Sequence, residues 1–208
     1  MSGESVRVLP QAVTLEALEA NFAAAMNGPP GDEARSFLTQ AHQDYAADEV
    51  PELSGEDLAA LLATAWTAAE GRSHGEPARI TLSPLHGAGG RPLGYDVLIV
   101  IQDDRPFLVD SVMGELAEAG VSVRSLFHPV NTEEGGREST IIVVLDPLPQ
   151  ERRDALGEAM AQTLADVAGA VDDHAAMTAL MNRAIAHLES GPKGVDPAVL
   201  AENIAFLR

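Results

Sequence analysis

Apolar residues recur at helical spacing along the first third of the chain. Leu15, Leu18, Phe22 and Met26 share one side of a predicted helix, with Glu16 and Glu19 opposite. Asn27-Gly28-Pro29-Pro30-Gly31 stops it, because proline lacks an amide donor and glycine frees the backbone. A second short amphipathic stretch runs from Asp32 to about Tyr45 and gives way to an acidic connector, Asp48 to Glu52. The third opens on Ser54 and Asp57, an approximate capping box, and aligns Leu58, Leu61, Leu62, Ala65, Trp66 and Ala69. Such stripes need a common partner surface, so residues 1–72 read as a small helical unit.

After the breaker-rich stretch Gly71 to Pro77 the period changes. Ala78 to Leu82 can form a strand, and Pro84 to Pro92 reads as a glycine-rich loop. Tyr95 to Ile101 is apolar at almost every position, as in a strand covered on both faces. Asp103-Asp104-Arg105-Pro106 turns into a helix, with proline at the first helical position and acids near the positive helix end. Leu108, Val109, Val112, Met113 and Leu116 form its stripe, Gly120 ends it, and Gly114 with Ala117 predicts a thin, closely packed face. Val121 to Val130 reads as the next strand, Asn131 to Arg137 as a polar turn, and Ser139 to Leu145 as a further strand.

Pro147 and Pro149 admit a helix with Leu156, Met160, Leu164 and Val167 on one face. The order strand, helix, strand, strand, helix needs one more strand to complete a ferredoxin-like βαββαβ unit. Asp166 to Val171 is the candidate. Beyond it, Asp172 or Asp173 is expected to cap a helix carrying Met177, Leu180, Met181, Ile185 and Leu188. Asp196-Pro197 opens a last helix with Leu200, Ile204 and Leu207 on one face, stopping in mid-pattern at Arg208 as if the chain were cut.

Charge narrows the functional classes. Thirteen Lys and Arg against 32 Asp and Glu leave a net charge of -19 at pH 7, which opposes binding to nucleic acid or an anionic membrane. Without cysteine the chain has no disulfide, thiolate nucleophile or cysteine metal ligand, which fits a reducing, cytoplasmic setting. No apolar run reaches membrane length, and no signal segment opens the chain.

Candidate chemistry is sparse. Asp103, Asp104 and Asp110 lack calcium-loop spacing and read as helix-capping or solvated acids. Ser111 has no visible base and reads as bonded to its own backbone, while His42, His74, His86, His174 and His187 are scattered without metal spacing. His128, beside Pro129 at a strand end, reads first as an edge or interface histidine and second as an effector contact. Trp66 reads as a packing residue, and Gly87, Gly89 and Gly90 lack the spacing and following helix of a dinucleotide cradle. No catalytic, metal or cofactor-binding residue is expected in this stretch.

Several motifs in register carry a family resemblance. Asp103-Asp104-Arg105-Pro106-Phe107-Leu108-Val109-Asp110-Ser111-Val112, then Glu115-Leu116 and His128-Pro129-Val130, resembles the amino-terminal region of the large bacterial NAD-specific glutamate dehydrogenases. Arg137-Glu138-Ser139 with Ile141, Asp166-Val167 with Ala170-Val171-Asp173 and Met177, and Ala205-Phe206-Leu207-Arg208 continue the similarity in order. The resemblance covers about Phe37 to the end.

The resemblance implies an α+β fold in three parts. These are a helical unit over 1–72, an ACT-like ferredoxin-like βαββαβ domain over 73–171, and helices over 172–208 leading into the rest of a longer chain. It implies a noncatalytic regulatory or assembly module whose parent oxidatively deaminates L-glutamate to 2-oxoglutarate and ammonia with NAD. The alternative is a stand-alone ACT-like sensor of an amino acid or another metabolite. Implied partners are the remainder of the dehydrogenase, further copies in a homo-oligomer and a small amino acid effector.

Asp104-Arg105-Pro106-Phe107-Leu108 is also similar to the Asp-Arg-Pro-Gly-Leu turn of amino-acid-binding ACT domains, where a helix start helps to hold a carboxylate. Phe107 stands where those domains place glycine, and its ring is expected to crowd a ligand. Asp104, Arg105, Pro106, Phe107, Leu108 and His128 are therefore the candidates for effector binding or domain docking.

Overall fold

The computed structural model describes residues 13–45, 53–133, 135–191 and 194–208. The expected acidic connector from Asp48 to Glu52 lies outside the described residues. Residues up to 165 form one compact unit and Asp166–Arg208 a second.

The first unit opens with three helices, α1 (Leu15–Ala25), α2 (Asp32–Asp44) and α3 (Gly55–Ala69). Thr14 caps α1 by accepting from the Ala17 amide, and Ser54 caps α3 by accepting from the Asp57 amide. Their apolar stripes meet the sheet. Leu18, Phe22, Phe37, Leu38, Leu58 and Leu62 belong to one buried cluster with Val97, Ile99, Ile101, Ile142 and Val144. Trp66 is half-buried and packs edge-on against Phe37, ring centroids 5.4 Å apart. The common partner surface required by the helical stripes is thus one face of the sheet.

The sheet has five strands, β1 (Arg79–His86), β2 (Pro92–Asp103), β3 (Val123–Phe127), β4 (Val130–Glu133) and β5 (Gly136–Leu145). Helix α4 (Leu108–Glu118) joins β2 to β3. The spatial order is β1-β2-β5-β3, all antiparallel, with β4 pairing β5. Alternate residues of the two central strands, Leu98, Val100, Ile141, Val143 and Leu145, are buried away from the first cluster. Their cover comes from Leu108, Val112 and Leu116 of α4 and Leu156, Met160 and Leu164 of the next helix, α5 (Gln150–Glu189). Both sheet faces are covered, which explains the uninterrupted apolar run in β2. This is the open antiparallel sheet with flanking helices expected of an ACT-like ferredoxin fold.

The fourth position of the sheet corrects one expectation. Asp166 to Val171 is helical and lies within α5, and the place beside β2 is taken by β1 from the opposite side in sequence. Alanine-rich sequence favours helix intrinsically, and no vacant sheet edge beside β2 remains to override it. For the same reason neither Asp172 nor Asp173 starts a helix, since α5 passes through them without a break.

Other boundaries shift locally. β1 extends to His86, so the expected loop from Pro84 contracts to a tight 3-10 turn, Ala88–Gly90, before β2. The expected strand from Val121 to Val130 is interrupted at His128-Pro129, and the expected polar turn from Asn131 is instead part of a β4–β5 hairpin that starts at Val130, in register Val130↔Ser139 to Glu133↔Gly136. Gly114 is exposed, and an added Cβ would meet nothing within 4 Å, so close packing does not account for it.

In the second unit, α5 continues to Glu189 and α6 (Pro197–Leu207) follows. Asp196 caps α6 through the Ala198 amide at 2.8 Å, with proline in the first turn as expected. None of the described residues from 166 onward is buried. Among the described residues no helix is long and apolar enough to cross a membrane.

Candidate functional site at the strand-to-helix turn

The candidate residues cluster where β2 leaves the sheet for α4. Pro106 does not occupy the first helical position as expected. Helix α4 begins at Leu108, and Phe107 precedes it in the left-handed region, φ 70° and ψ 4°. That conformation is the physical reason glycine suits this place, since a Cβ there strains against the backbone. The Phe107 side chain is 68% exposed, so its ring stands in solvent and does not crowd the turn. Its carbonyl accepts from the Ser111 amide at 2.9 Å, starting the helix, while Leu108 faces the core.

The acids before the turn are committed to neighbours. Asp103 is buried, with Oδ1 accepting from Arg72 Nη1 at 2.9 Å and Oδ2 from the Gly75 amide at 3.0 Å. His74 Nδ1 lies 3.3 Å from Oδ1, and Arg105 Nη2 lies 3.9 Å from Oδ2. Burial alone would raise the Asp103 carboxyl. The Arg72 and Gly75 hydrogen bonds, with the charges of Arg72 and His74, outweigh it and hold the group below the usual carboxylate range. The same Arg72 guanidinium bonds Glu138 on β5 at 2.9 Å and the Glu76 carbonyl at 2.7 Å. Asp104 pairs with Arg137 at 3.2 Å, and its amide donates to the Arg137 carbonyl at 2.8 Å.

His128 sits at the break between β3 and β4. Its Nε2 lies 2.7 Å from the hydroxyl of Ser139, a fully buried residue, and its amide donates to Asp44 of α2 at 2.8 Å. Burial lowers its pKa, and the nearby Asp104 and Asp44 only partly oppose this. His128 and Asp104 therefore lie within electrostatic reach of each other. A buried hydroxyl and an imidazole already bonded to it do not make a nucleophile open to a substrate.

The roles of Arg72, His74 and Glu138 have no signal in the sequence. Arg72 lies in a stretch legible only as a breaker, and nothing local signals that its side chain is 1% exposed between two carboxylates. Beyond its place in the capping box, Asp57 bonds the Ala88 amide at 3.0 Å and Arg91 at 2.7 Å, tying α3 to the β1–β2 turn.

A dinucleotide does not fit this turn. Phosphate cradles need glycines and free amides at the helix start, whereas Asp103-Asp104-Arg105-Pro106-Phe107 has no glycine, places two carboxylates ahead of the helix and uses the Asp104 amide in the sheet. Among the described residues no group of three or more His, Asp or Glu is arranged to hold a metal ion.

Comparison with known proteins agrees with this architecture. The family described as "Glutamate dehydrogenase, ACT1 domain" matches residues 37–180. A Halomonas elongata protein described as NAD-specific glutamate dehydrogenase is 29% identical over 204 residues, covering 85% of this chain. The alignment spans 12% of that relative's length.

Proposed function

Because this chain belongs to the glutamate dehydrogenase ACT1 domain family, we propose that it is the amino-terminal regulatory or assembly module of a large NAD-dependent glutamate dehydrogenase, noncatalytic by itself. The parent reaction in this reading converts L-glutamate, NAD and water to 2-oxoglutarate, ammonia and NADH. In this reading the helices α1, α2 and α3 of the unit over 1–72 buttress the sheet, 73–171 form the ACT-like domain, and 172–208 lead toward the remainder of the chain. Further copies in a cytoplasmic homo-oligomer are the natural partners of such a module.

One observation carries the proposal. The polar groups at the strand-to-helix turn are consumed by structure: Asp103 by Arg72 and Gly75, Asp104 by Arg137, and His128 by Ser139 and Asp44. Groups so engaged fix the relative positions of α2, the hairpin and the start of α4, which is what a docking or transmitting element requires. The test compares the parent dehydrogenase with an Arg72→Met variant. Altered assembly or altered response to metabolites, with the chemistry itself retained, supports a module. Unchanged assembly and unchanged regulation in a variant whose ACT-like domain is visibly disrupted removes the proposal.

A second reading, an amino acid or metabolite sensor, draws on Phe107. Its exposed ring leaves the ground before α4 uncrowded. Calorimetry of this chain against a panel of amino acids separates the two. Heat that saturates at micromolar ligand and disappears with Arg105→Ala supports sensing at the turn.

A further inference from the structure

Helix α5 carries two apolar stripes. Leu156, Met160 and Leu164 are buried in the first unit, whereas Met177, Leu180 and Met181 in the second are 50%, 59% and 45% exposed. With Ala184 they recur at spacings of three and four and so share one face of the helix. Val199 and Phe206 of α6 are exposed as well, and no described residue of this unit is buried. A small helical unit without buried residues has no core to sustain it, and an exposed apolar face of this kind marks a surface for association.

Charge selects what associates there. With 32 Asp and Glu against 13 Lys and Arg, two copies of this chain repel one another over most of their surface. From His174 to Leu188, however, there is no Asp or Glu, and the charged or titratable side chains are Arg183, His174 and His187. The apolar face thus lies where a second copy can approach without meeting a carboxylate. Its two ends differ. Asp173 is exposed one turn before Met177, and His187 is exposed one turn after Ala184, on the same face. An antiparallel two-fold about Leu180 brings each Asp173 opposite the second copy's His187, because both lie seven residues from the centre. A histidine offers the carboxylate an N–H in either protonation state, whereas parallel pairing would set Asp173 against Asp173.

We propose that Met177, Leu180, Met181 and Ala184 form the contact between two copies of this chain, packed antiparallel along α5 with Asp173 of each facing His187 of the other. This gives the homo-oligomer of the module reading a contact surface and rests on that part of the reading alone.

Sedimentation equilibrium of the full 208-residue chain should show a monomer–dimer equilibrium. Leu180→Asp places a carboxylate at the two-fold and should weaken dimerisation about tenfold or more, with helix content by circular dichroism unchanged. Met177→Asp repeats the test should that variant fold poorly. His187→Glu should also weaken the dimer, and Asp173→Lys added to it should restore most of the loss. A chain that stays monomeric at every concentration overturns the proposal, leaves the face to a different occupant and removes support for the homo-oligomer. A dimer unmoved by folded Leu180→Asp overturns it too, yet leaves the homo-oligomer standing on another surface. Failure of Asp173→Lys to rescue His187→Glu overturns the antiparallel pairing.

Discussion

A Cβ added to Gly87 would lie 2.0 Å from Oδ1 of Asp57. The glycine is there because the turn after β1 must come close enough for Asp57, on α3, to accept from the Ala88 amide and from Arg91. Gly87→Ala should push the carboxylate away and cost about 2–4 kcal/mol, a clash combined with broken buried hydrogen bonds. Chemical denaturation checks this. A loss below about 0.5 kcal/mol would show that the clamp does not hold the turn.

Arg72 holds two carboxylates from different strands. Arg72→Met should destabilise by about 3–5 kcal/mol, because it removes the guanidinium that bonds both of these buried carboxylates. Glu138→Gln, which keeps the shape and leaves the Asp103 bond, should cost clearly less in the same denaturation series.

Acid should act through Asp57 and Asp103. Both have folded pKa values below the ordinary 3.8, because hydrogen bonds and cations outweigh the upward push of burial. A depressed carboxyl stabilises the fold fully above its unfolded pKa and loses that contribution as pH falls through the folded one. Stability should therefore decline as pH falls below about 4. In Asp103→Asn the remaining decline should be shallower, as read from denaturation midpoints at successive pH values.

His128 should titrate below its usual 6.5 by NMR, since burial disfavours its cation. The fold is then weakened as pH falls from the unfolded value through the folded one. His128→Ala should cost about 1–3 kcal/mol by leaving the buried Ser139 hydroxyl without its partner. A titration at or above 6.5 would contradict the buried environment described for this ring.

Two backbone positions should accept substitution in opposite directions. Phe107→Gly should be neutral or stabilising by up to about 1 kcal/mol, because it relieves a left-handed conformation while removing an exposed ring. A loss of 2 kcal/mol would mean that the ring packs on something. Gly114→Ala should stabilise α4 by about 0.5–1 kcal/mol, since the helix surface there is open. Melting temperatures of the two variants test both.

Local pattern and tertiary contact contributed different things to this protein. The stripes of α1, α3 and α4, the Ser54 and Asp196 caps and the two-face burial of β2 follow from side-chain periodicity and short-range hydrogen bonding, so they are legible in the chain itself. The choice of β1 rather than Asp166 to Val171 beside β2 was not, because strand pairing joins residues far apart in sequence. The same holds for the site. Asp104, Arg105 and His128 stood out as motif residues, but Arg72, His74 and Glu138 gained their roles only when the loop before β1 met the ends of β2 and β5. A residue's spacing along one element determines which face it shows, whereas the burial that makes a charge need a partner, or leaves Arg72 Nε without one, is created by the assembled elements together.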